Sequence, residues 1–207
     1  MKLAFISISV FFFCISAHPA SAQKKTILLT VQERSYAIDL LKKTQNDFLM
    51  AIKGLNDSQL HFKSAPDRWS VAECILHIAA AEKELWAIAE ENLSKNANLE
   101  ARSKIMFTDQ DLVKAVEDRS HKSKTFAALE PANSIYKSVG GALAGFKAQR
   151  KRTIDFVKNT KVDLRNHVLL LPLGNFDAYQ FILLIAAHSN RHTQQINEVK
   201  ADANFPE

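Results

Sequence analysis

The sequence predicts an all-α protein, a four-helix bundle with one long crossover connection. Four segments of about 20 residues carry apolar side chains at alternating spacings of three and four, which is typical of a helix packed along other helices. A polar, irregular stretch of residues 94–137 separates the second segment from the third. Four long helices with one long connection are a known bundle plan.

The first helix is predicted from Thr30 to Ile52, with Gly54 among the residues that end it. The second begins at Ser70, where the sequence Ser-Val-Ala-Glu forms a capping box, and it runs to about Leu93. Trp69 and Cys74 flank that cap at the positions of a hydrophobic staple. Both helices therefore have recognisable ends.

Within the connection, residues 109–122 are expected to form a shorter helix. The third long helix spans residues 139–159, although its three glycines each weaken a helix by up to about 1 kcal/mol relative to alanine. Residues 168–171 have the composition of a strand, but no second strand candidate is present, so we expect an extended link closed by Pro172 and Gly174. A cap at Asp177 then opens the fourth helix, which runs to about Lys200.

The first 22 residues are expected to be a cleavable secretory signal. Lys2 is followed by an apolar run that ends at Ile15, and the small residues Ala20-Ser21-Ala22 precede Gln23. The run is shorter than the roughly 20 residues that a membrane span requires. We therefore predict a periplasmic or secreted protein with no stable membrane span, whose single domain covers residues 23–207.

The composition of that domain excludes several classes of protein. Loss of Lys2 leaves 26 basic and 22 acidic residues, a charge of +4, and an exported protein of such mild charge is not expected to bind nucleic acid. Cys74 is the one cysteine after residue 22, so no disulfide can form within the domain. Stability must come from a packed core, and 47% of the residues of the full chain are apolar.

Two histidines one helical turn apart, His188 and His192, are the most informative feature of the sequence. Both lie within a sector of about 120° on the fourth helix, together with its apolar residues. Side chains at i and i+4 are close enough to hold one metal ion. The metalloprotease motif is excluded, because it needs a glutamate where this chain has Ser189. From spacing alone, two hydrogen-bonded core histidines explain the pair equally well.

A metal site with an open position needs a third protein ligand, for which His77 on the second helix is the best candidate. Taken alone, His77 is better explained as a core histidine, and Glu73 as a helix cap. Arg191 is interpreted as a surface cation that packs its stem along the helix. Three further histidines lie in loops or polar segments and are expected to be solvated: His61, His121 and His167.

Three stretches of the sequence form a recognisable set: residues 67–78 (DRWSVAECILHI), the Leu173-Gly174 turn, and residues 187–196 (AHSNRHTQQI), followed by Asn204-Phe205-Pro206. Together they resemble the DinB-like superfamily of metal-binding four-helix bundles. The resemblance covers nearly all of the chain after residue 22. It implies that the three metal ligands are His77, His188 and His192.

The resemblance implies a metal-dependent enzyme without naming its reaction. Relatives include thiol-dependent transferases, and many are described as metal-dependent hydrolases. Export limits access to cytosolic thiols, which weighs against the transferase. Three imidazoles suit a divalent transition metal such as Zn or Ni. The alternative is a non-catalytic metal-binding or stress-related binding protein. A small-molecule substrate is expected, the catalytic residues are unknown, and association into a homodimer is left open.

Overall fold

The computed structural model describes residues 26–121, 124–171 and 174–207. Along this part of the chain lie four long and two short helices: α1 (Val31–Ala51), α2 (Asp57–His61), α3 (Val71–Leu93), α4 (Asp109–Glu117), α5 (Val139–Asn159) and α6 (Ala178–Lys200). The prediction of an all-α four-helix bundle is confirmed. The predicted signal segment, residues 1–22, lies outside the described residues.

The long helices begin where local capping chemistry dictates. The Thr30 hydroxyl accepts a hydrogen bond from the Glu33 amide at 3.1 Å, and the Glu33 carboxylate accepts one from the Thr30 amide at 2.7 Å. This reciprocal arrangement satisfies two amides that have no partner inside the helix. The same box opens α3 at Ser70 and α6 at Asp177.

The four long helices form a square in which α6 and α5 each pack against both α1 and α3. α1 and α3 therefore lie on opposite corners, and residues 94–138 cross from α3 to α5 as predicted. α4 belongs to this crossover and packs against α6. The crossover thus covers the part of α6 that carries the two neighbouring histidines.

A two-stranded hairpin corrects the expectation of an extended link. β1 (Val168–Leu171) pairs antiparallel with β2 (Gly174–Asp177), with Val168 opposite Asp177 and Leu171 opposite Gly174. The sequence of β2, Gly-Asn-Phe-Asp, contains residue types that are depleted in strands, which is why no partner for β1 was predicted. Gly174 adopts φ +137°, a conformation that side chains rarely permit.

Two further details of the helices differ from prediction. α4 ends at Glu117 rather than near residue 122, and α2 was not predicted at all, because five residues are too few for a periodic pattern.

Gly145, which weakens α5 in isolation, has a packing role: a Cβ there would lie 2.3 Å from the Tyr136 hydroxyl oxygen. The glycine therefore lets the crossover approach the helix closely.

A buried polar layer crosses the bundle and joins all four long helices. The Arg150 guanidinium on α5 donates two hydrogen bonds to the Glu82 carboxylate on α3, at 2.6 and 2.7 Å. It also donates to the Leu41 carbonyl at 2.7 Å, the Thr44 hydroxyl at 2.8 Å and the Ser189 hydroxyl at 2.6 Å. Arg150 is fully buried and Glu82 is 2% exposed. We call these five residues the arginine layer.

None of the helices among the described residues has the length and apolar character that crossing a membrane requires.

Candidate metal centre

The structure brings His77, His188 and His192 together. His188 and His192 lie one turn apart on α6, and His77 faces them from the adjacent helix α3. One ring nitrogen from each residue lies within 4.8 Å of the others. The Nε2 atoms of His77 and His188 are 3.4 Å apart. Two nitrogens bound to one ion at ~2.05 Å in tetrahedral geometry would be about 3.3 Å apart, so this separation suits a shared ion.

Hydrogen bonds to the outer ring nitrogens fix the tautomers of two of these histidines. His77 Nδ1 lies 2.8 Å from the Leu129 carbonyl oxygen, and His192 Nδ1 lies 2.9 Å from the Gln195 side-chain oxygen. Both oxygens accept, so each Nδ1 carries the proton and each Nε2 keeps its lone pair. Metal-binding histidines are commonly held by such partners.

Trp69 covers one side of the three histidines. Its ring centroid lies 4.8 Å from that of His77 and 5.8 Å from that of His192, nearly parallel to the latter. The sequence predicted Trp69 only as a hydrophobic staple at the start of α3. The indole therefore has a second role, because it excludes water from one face of the imidazoles.

Burial keeps the three histidines uncharged. Desolvation is the main cause that lowers the pKa of His188 to about 3, and the neighbouring His77 and Arg191 add to it. Burial also lowers the pKa of His77 and, together with the other two histidines, holds that of His192 well below its usual range. Neutral imidazoles are the form that binds a metal ion.

The three histidines line a cavity of about 660 Å³ between α3, α6 and the crossover. Its walls combine apolar and charged side chains. The apolar ones include Leu85, Val116, Phe126, Leu129 and Leu184, and the charged ones are Asp67, Arg68, Arg119, Lys124, Glu130 and Arg191. A cavity of this size accommodates a small molecule.

Arg191 is more than the surface cation that was predicted. Its guanidinium donates to the carbonyl oxygens of Val116 at 3.2 Å, of Asp118, and of His121 at 2.6 Å. These carbonyls lie at and just beyond the end of α4. Arg191 therefore attaches the crossover to the segment of α6 between His188 and His192.

The three other histidines of the described residues are not part of the group that converges. His61 is exposed, as predicted. His121 is exposed but also lines the cavity. His167 was expected to be solvated, whereas its ring nitrogens contact the carbonyls of Asp163 at 2.6 Å and Lys95 at 3.1 Å. Loop packing, which spacing along the chain does not reveal, explains that difference.

Sequence reasoning missed the hydrogen-bond partners of the histidines and the cations that the crossover brings to the cavity. The Leu129 carbonyl is a backbone group, and no pattern of residue types marks it. Gln195 lies in the stretch that resembles the family, and its position three residues after His192 is the signal that could have identified it. Arg119 and Lys124 come from a polar segment with no periodicity, so their place at the cavity was not predictable.

Comparison with known families gives a direct result. The family model described as the DinB superfamily matches residues 40–196, which include all three histidines. The chain belongs to the DinB superfamily. The resemblance seen in the sequence motifs is thereby confirmed.

Two proteins of Bacillus subtilis are similar to this DinB-superfamily chain. The uncharacterized protein YuaE is 25% identical over 158 residues, covering 72% of this chain and 88% of its own length. The structure of YfiT aligns with a TM-score of 0.57 at 16% identity, covering 88% of this chain and 94% of its own. YfiT is described as a probable metal-dependent hydrolase with an unusual four-helix bundle topology. The likeness to YfiT establishes the shared fold.

Chemistry and geometry both suit a divalent metal ion at the three histidines. Three neutral nitrogen donors leave at least one coordination position for another ligand, as in catalytic zinc sites. The chain is thus a DinB-superfamily protein with a three-histidine group fitted to such an ion. The assignment of each histidine as a ligand stays a prediction that metal analysis can test.

Proposed function

We propose that this protein is a metal-dependent enzyme of the hydrolase class, whose ion is held by His77, His188 and His192. One observation carries the proposal: the three imidazoles converge beside an open cavity of about 660 Å³ that also has apolar and charged walls. In a non-catalytic metal site the ion is usually fully coordinated by protein ligands, with no open position. The open cavity therefore favours an enzyme.

The bound ion would supply a Lewis acid that lowers the pKa of a water molecule or a thiol in its open position. The chain's own residues prepare that position. The Leu129 carbonyl and Gln195 orient two imidazoles, and Trp69 shields them from water on one side. Because the site can activate a thiol as well as a water molecule, thiol transfer is the second reaction to test.

Zn and Ni are the metals we propose, because imidazole nitrogen suits both and the site offers neither a thiolate nor a carboxylate ligand among the described residues. Support for hydrolysis comes from the description of YfiT, which shares the fold.

Metal analysis of the protein purified without chelators tests the proposal. We expect about one transition-metal ion per chain in the wild type and less than a tenth of that in His188→Ala. His61→Ala is the matched control, since it removes an exposed histidine outside the cavity and should keep full occupancy. A wild type that neither retains a metal nor takes up Zn or Ni in a titration would refute the site. The metal-loaded protein is then assayed with ester, amide and phosphoester substrates and with thiol-transfer substrates.

We also propose that the protein is exported and begins near Gln23. Support comes from the charged start, the short apolar run and the small residues before Gln23. The mass of the native protein decides this, because an intact Met1 would contradict the proposal.

A further inference from the structure

Positive side chains outnumber negative ones around the cavity. Two of its lining residues are acidic, Asp67 and Glu130, and four carry a permanent or near-permanent positive charge: Arg68, Arg119, Lys124 and Arg191. A divalent ion would make the excess larger.

Two of the four cations donate several hydrogen bonds to the protein. The Arg119 guanidinium forms a two-bond pair with the Glu198 carboxylate at 2.6 and 2.7 Å. Arg191 donates to the three carbonyls of the crossover described above. These two arginines use five of their ten N–H groups on acceptors of the protein, which hold both guanidinium groups in place at the cavity wall.

Arg68 differs from these two arginines in its hydrogen bonding. Its side chain is exposed, lines the cavity, and makes no hydrogen bond or ion pair with any residue of the described ranges. Its charge is close to Glu198: hydrogen bonding from Arg119 is the main cause that lowers the pKa of that carboxyl, and the charges of Arg68 and Arg191 lower it further. Of the three guanidinium groups whose charges act on Glu198, only that of Arg119 bonds to it, and that of Arg68 makes no hydrogen bond with the described residues.

Lys124 resembles Arg68 in this respect. It is exposed, lines the same cavity, and no acceptor among the described residues lies within hydrogen-bonding distance of its ammonium group. Asp67 and Glu130 also line the cavity, and neither forms an ion pair within the part of the chain that the structure describes. The cavity mouth therefore presents two cations that form no ion pair with the described residues.

We propose that the substrate is a small molecule with a carboxylate-type anionic group, which Arg68 and Lys124 bind while its reactive group lies at the three histidines. This inference rests on the proposed function, because it concerns the substrate of the same site. A guanidinium matches a planar carboxylate with two parallel hydrogen bonds. The apolar walls formed by Leu85 and Leu184 would contact the part of the molecule between its two ends.

Matched thiols test the charge preference on the Co²⁺-loaded protein. Thiolate sulfur binds Co²⁺ at an open position and changes its visible absorption, so affinity is measured without knowledge of the substrate. The probes are 3-mercaptopropionate and 3-mercapto-1-propanol, with the six-carbon pair 6-mercaptohexanoate and 6-mercapto-1-hexanol for a longer reach. We expect at least one carboxylate to bind about three- to tenfold more tightly than its alcohol, the range for a charged hydrogen bond weakened by solvent.

Three variants assign that preference to the two cations. Arg68→Gln should abolish most of it and Lys124→Gln part of it, whereas Arg68→Lys should retain a measurable share because the charge remains. Lys147→Gln is the matched control, since it removes an exposed lysine on α5 that does not line the cavity, and it should change nothing. The preference should also shrink as ionic strength rises.

The outcomes separate this inference from the proposed function. If Co²⁺ is not retained at all, the metal site fails and takes the inference with it. If Co²⁺ is retained and the thiols bind, but carboxylates and alcohols bind equally at both lengths, the metal site stands and the inference is overturned. A carboxylate preference that survives in Arg68→Gln, Lys124→Gln and the double variant would also overturn it.

Discussion

Two polar clusters lie next to each other inside this bundle and differ in how much of their hydrogen-bonding capacity is already used. The arginine layer and the three-histidine group are joined in sequence, because Ser189 of the former directly follows His188 of the latter. Glu82 lies five residues after His77, about 7.5 Å further along α3. Arg150 has five N–H donors, and all five are used in hydrogen bonds. His77 and His192 instead each keep one unprotonated ring nitrogen inside the histidine group.

The difference shows that burial of a polar group does not identify a functional site. The arginine layer is saturated, so it can bind nothing more and acts as a structural link between four helices. In the histidine group, the outer nitrogens of His77 and His192 are engaged while the inner nitrogens keep lone pairs that face a cavity. Unused lone pairs that face the cavity therefore distinguish the histidine group from the arginine layer.

Breaking the arginine layer should have the largest effect. Arg150→Met leaves the Glu82 carboxylate buried without its cation, with only the Ser189 hydroxyl donating to it at 3.4 Å. Loss of one member of a buried ion pair typically costs about 3–5 kcal/mol. We expect the free energy of unfolding, measured by urea denaturation, to fall by that amount. Arg152→Met is the control, because Arg152 pairs with Glu90 on the surface and should contribute no more than about 1 kcal/mol.

The double variant Arg150→Met/Glu82→Met sharpens this test, since it removes both charges and should recover most of the loss. If the single and double variants are equally unstable, the layer acts through packing rather than charge.

Metal should stabilise the histidine group by a smaller amount. A ligand that binds the folded state alone adds about 2.7 kcal/mol when its free concentration is 100 times Kd. For a chain of this length that corresponds to a rise in Tm of about 5–10 °C. Thermal melting at pH 7 with and without Zn or Ni measures it, with His61→Ala expected to match the wild type. An equal rise in His188→Ala would place the bound metal elsewhere.

Acid should destabilise the metal-free protein through the same histidines. Their pKa values are lowered by burial, whereas an unfolded histidine titrates near ~6.5, so the unfolded state binds more protons below that pH. The stability that this difference provides is complete above pH ~6.5 and is lost progressively as the pH falls toward the lowered pKa.

Urea denaturation in EDTA at pH 7 and pH 5 measures this loss. Because pH 5 lies about 1.5 units below the unfolded pKa, we expect His188→Gln to lose about 2 kcal/mol less than the wild type over this interval. Identical losses in both proteins would mean that His188 already accepts a proton in the folded state.

The sequence predicted the four long helices closely because each combines a periodic apolar face with a local cap. Ser70 and Asp177 fix the starts of α3 and α6 within their own first turns, so no distant contact is needed to find them. Features that depend on distant contacts were missed. β2 becomes a strand only because β1 lies beside it, and the five-residue helix α2 is too short to show a period.

In the candidate site, too, local patterns were predicted and features that depend on distant contacts were missed. His188 and His192 were found from their spacing on one helix, and the family motif brought in His77 from another. The direction of their lone pairs depends on a carbonyl of the crossover at Leu129, which carries no sequence signal. Arg191 was interpreted as a surface cation because the carbonyls it binds lie 70 to 75 residues away along the chain.

The smallest effect should come from the partner of a histidine rather than from a histidine. Gln195 accepts the hydrogen bond from His192 Nδ1 and thereby keeps the lone pair on Nε2. Loss of such a partner typically lowers metal affinity 10- to 100-fold, and because His192 is one ligand of three, we expect about tenfold in Gln195→Leu. Competition with a chelator of known affinity measures the Kd, and the Co²⁺ spectrum reports whether the ligand geometry changes.

Gln194→Leu is the matched control, since its side chain bonds to the Glu117 carbonyl instead of a histidine. Equal affinities in Gln195→Leu and the wild type would show that packing against Trp69 suffices to orient His192. The histidine group would then, like the arginine layer, need no further hydrogen-bond partner to hold its geometry.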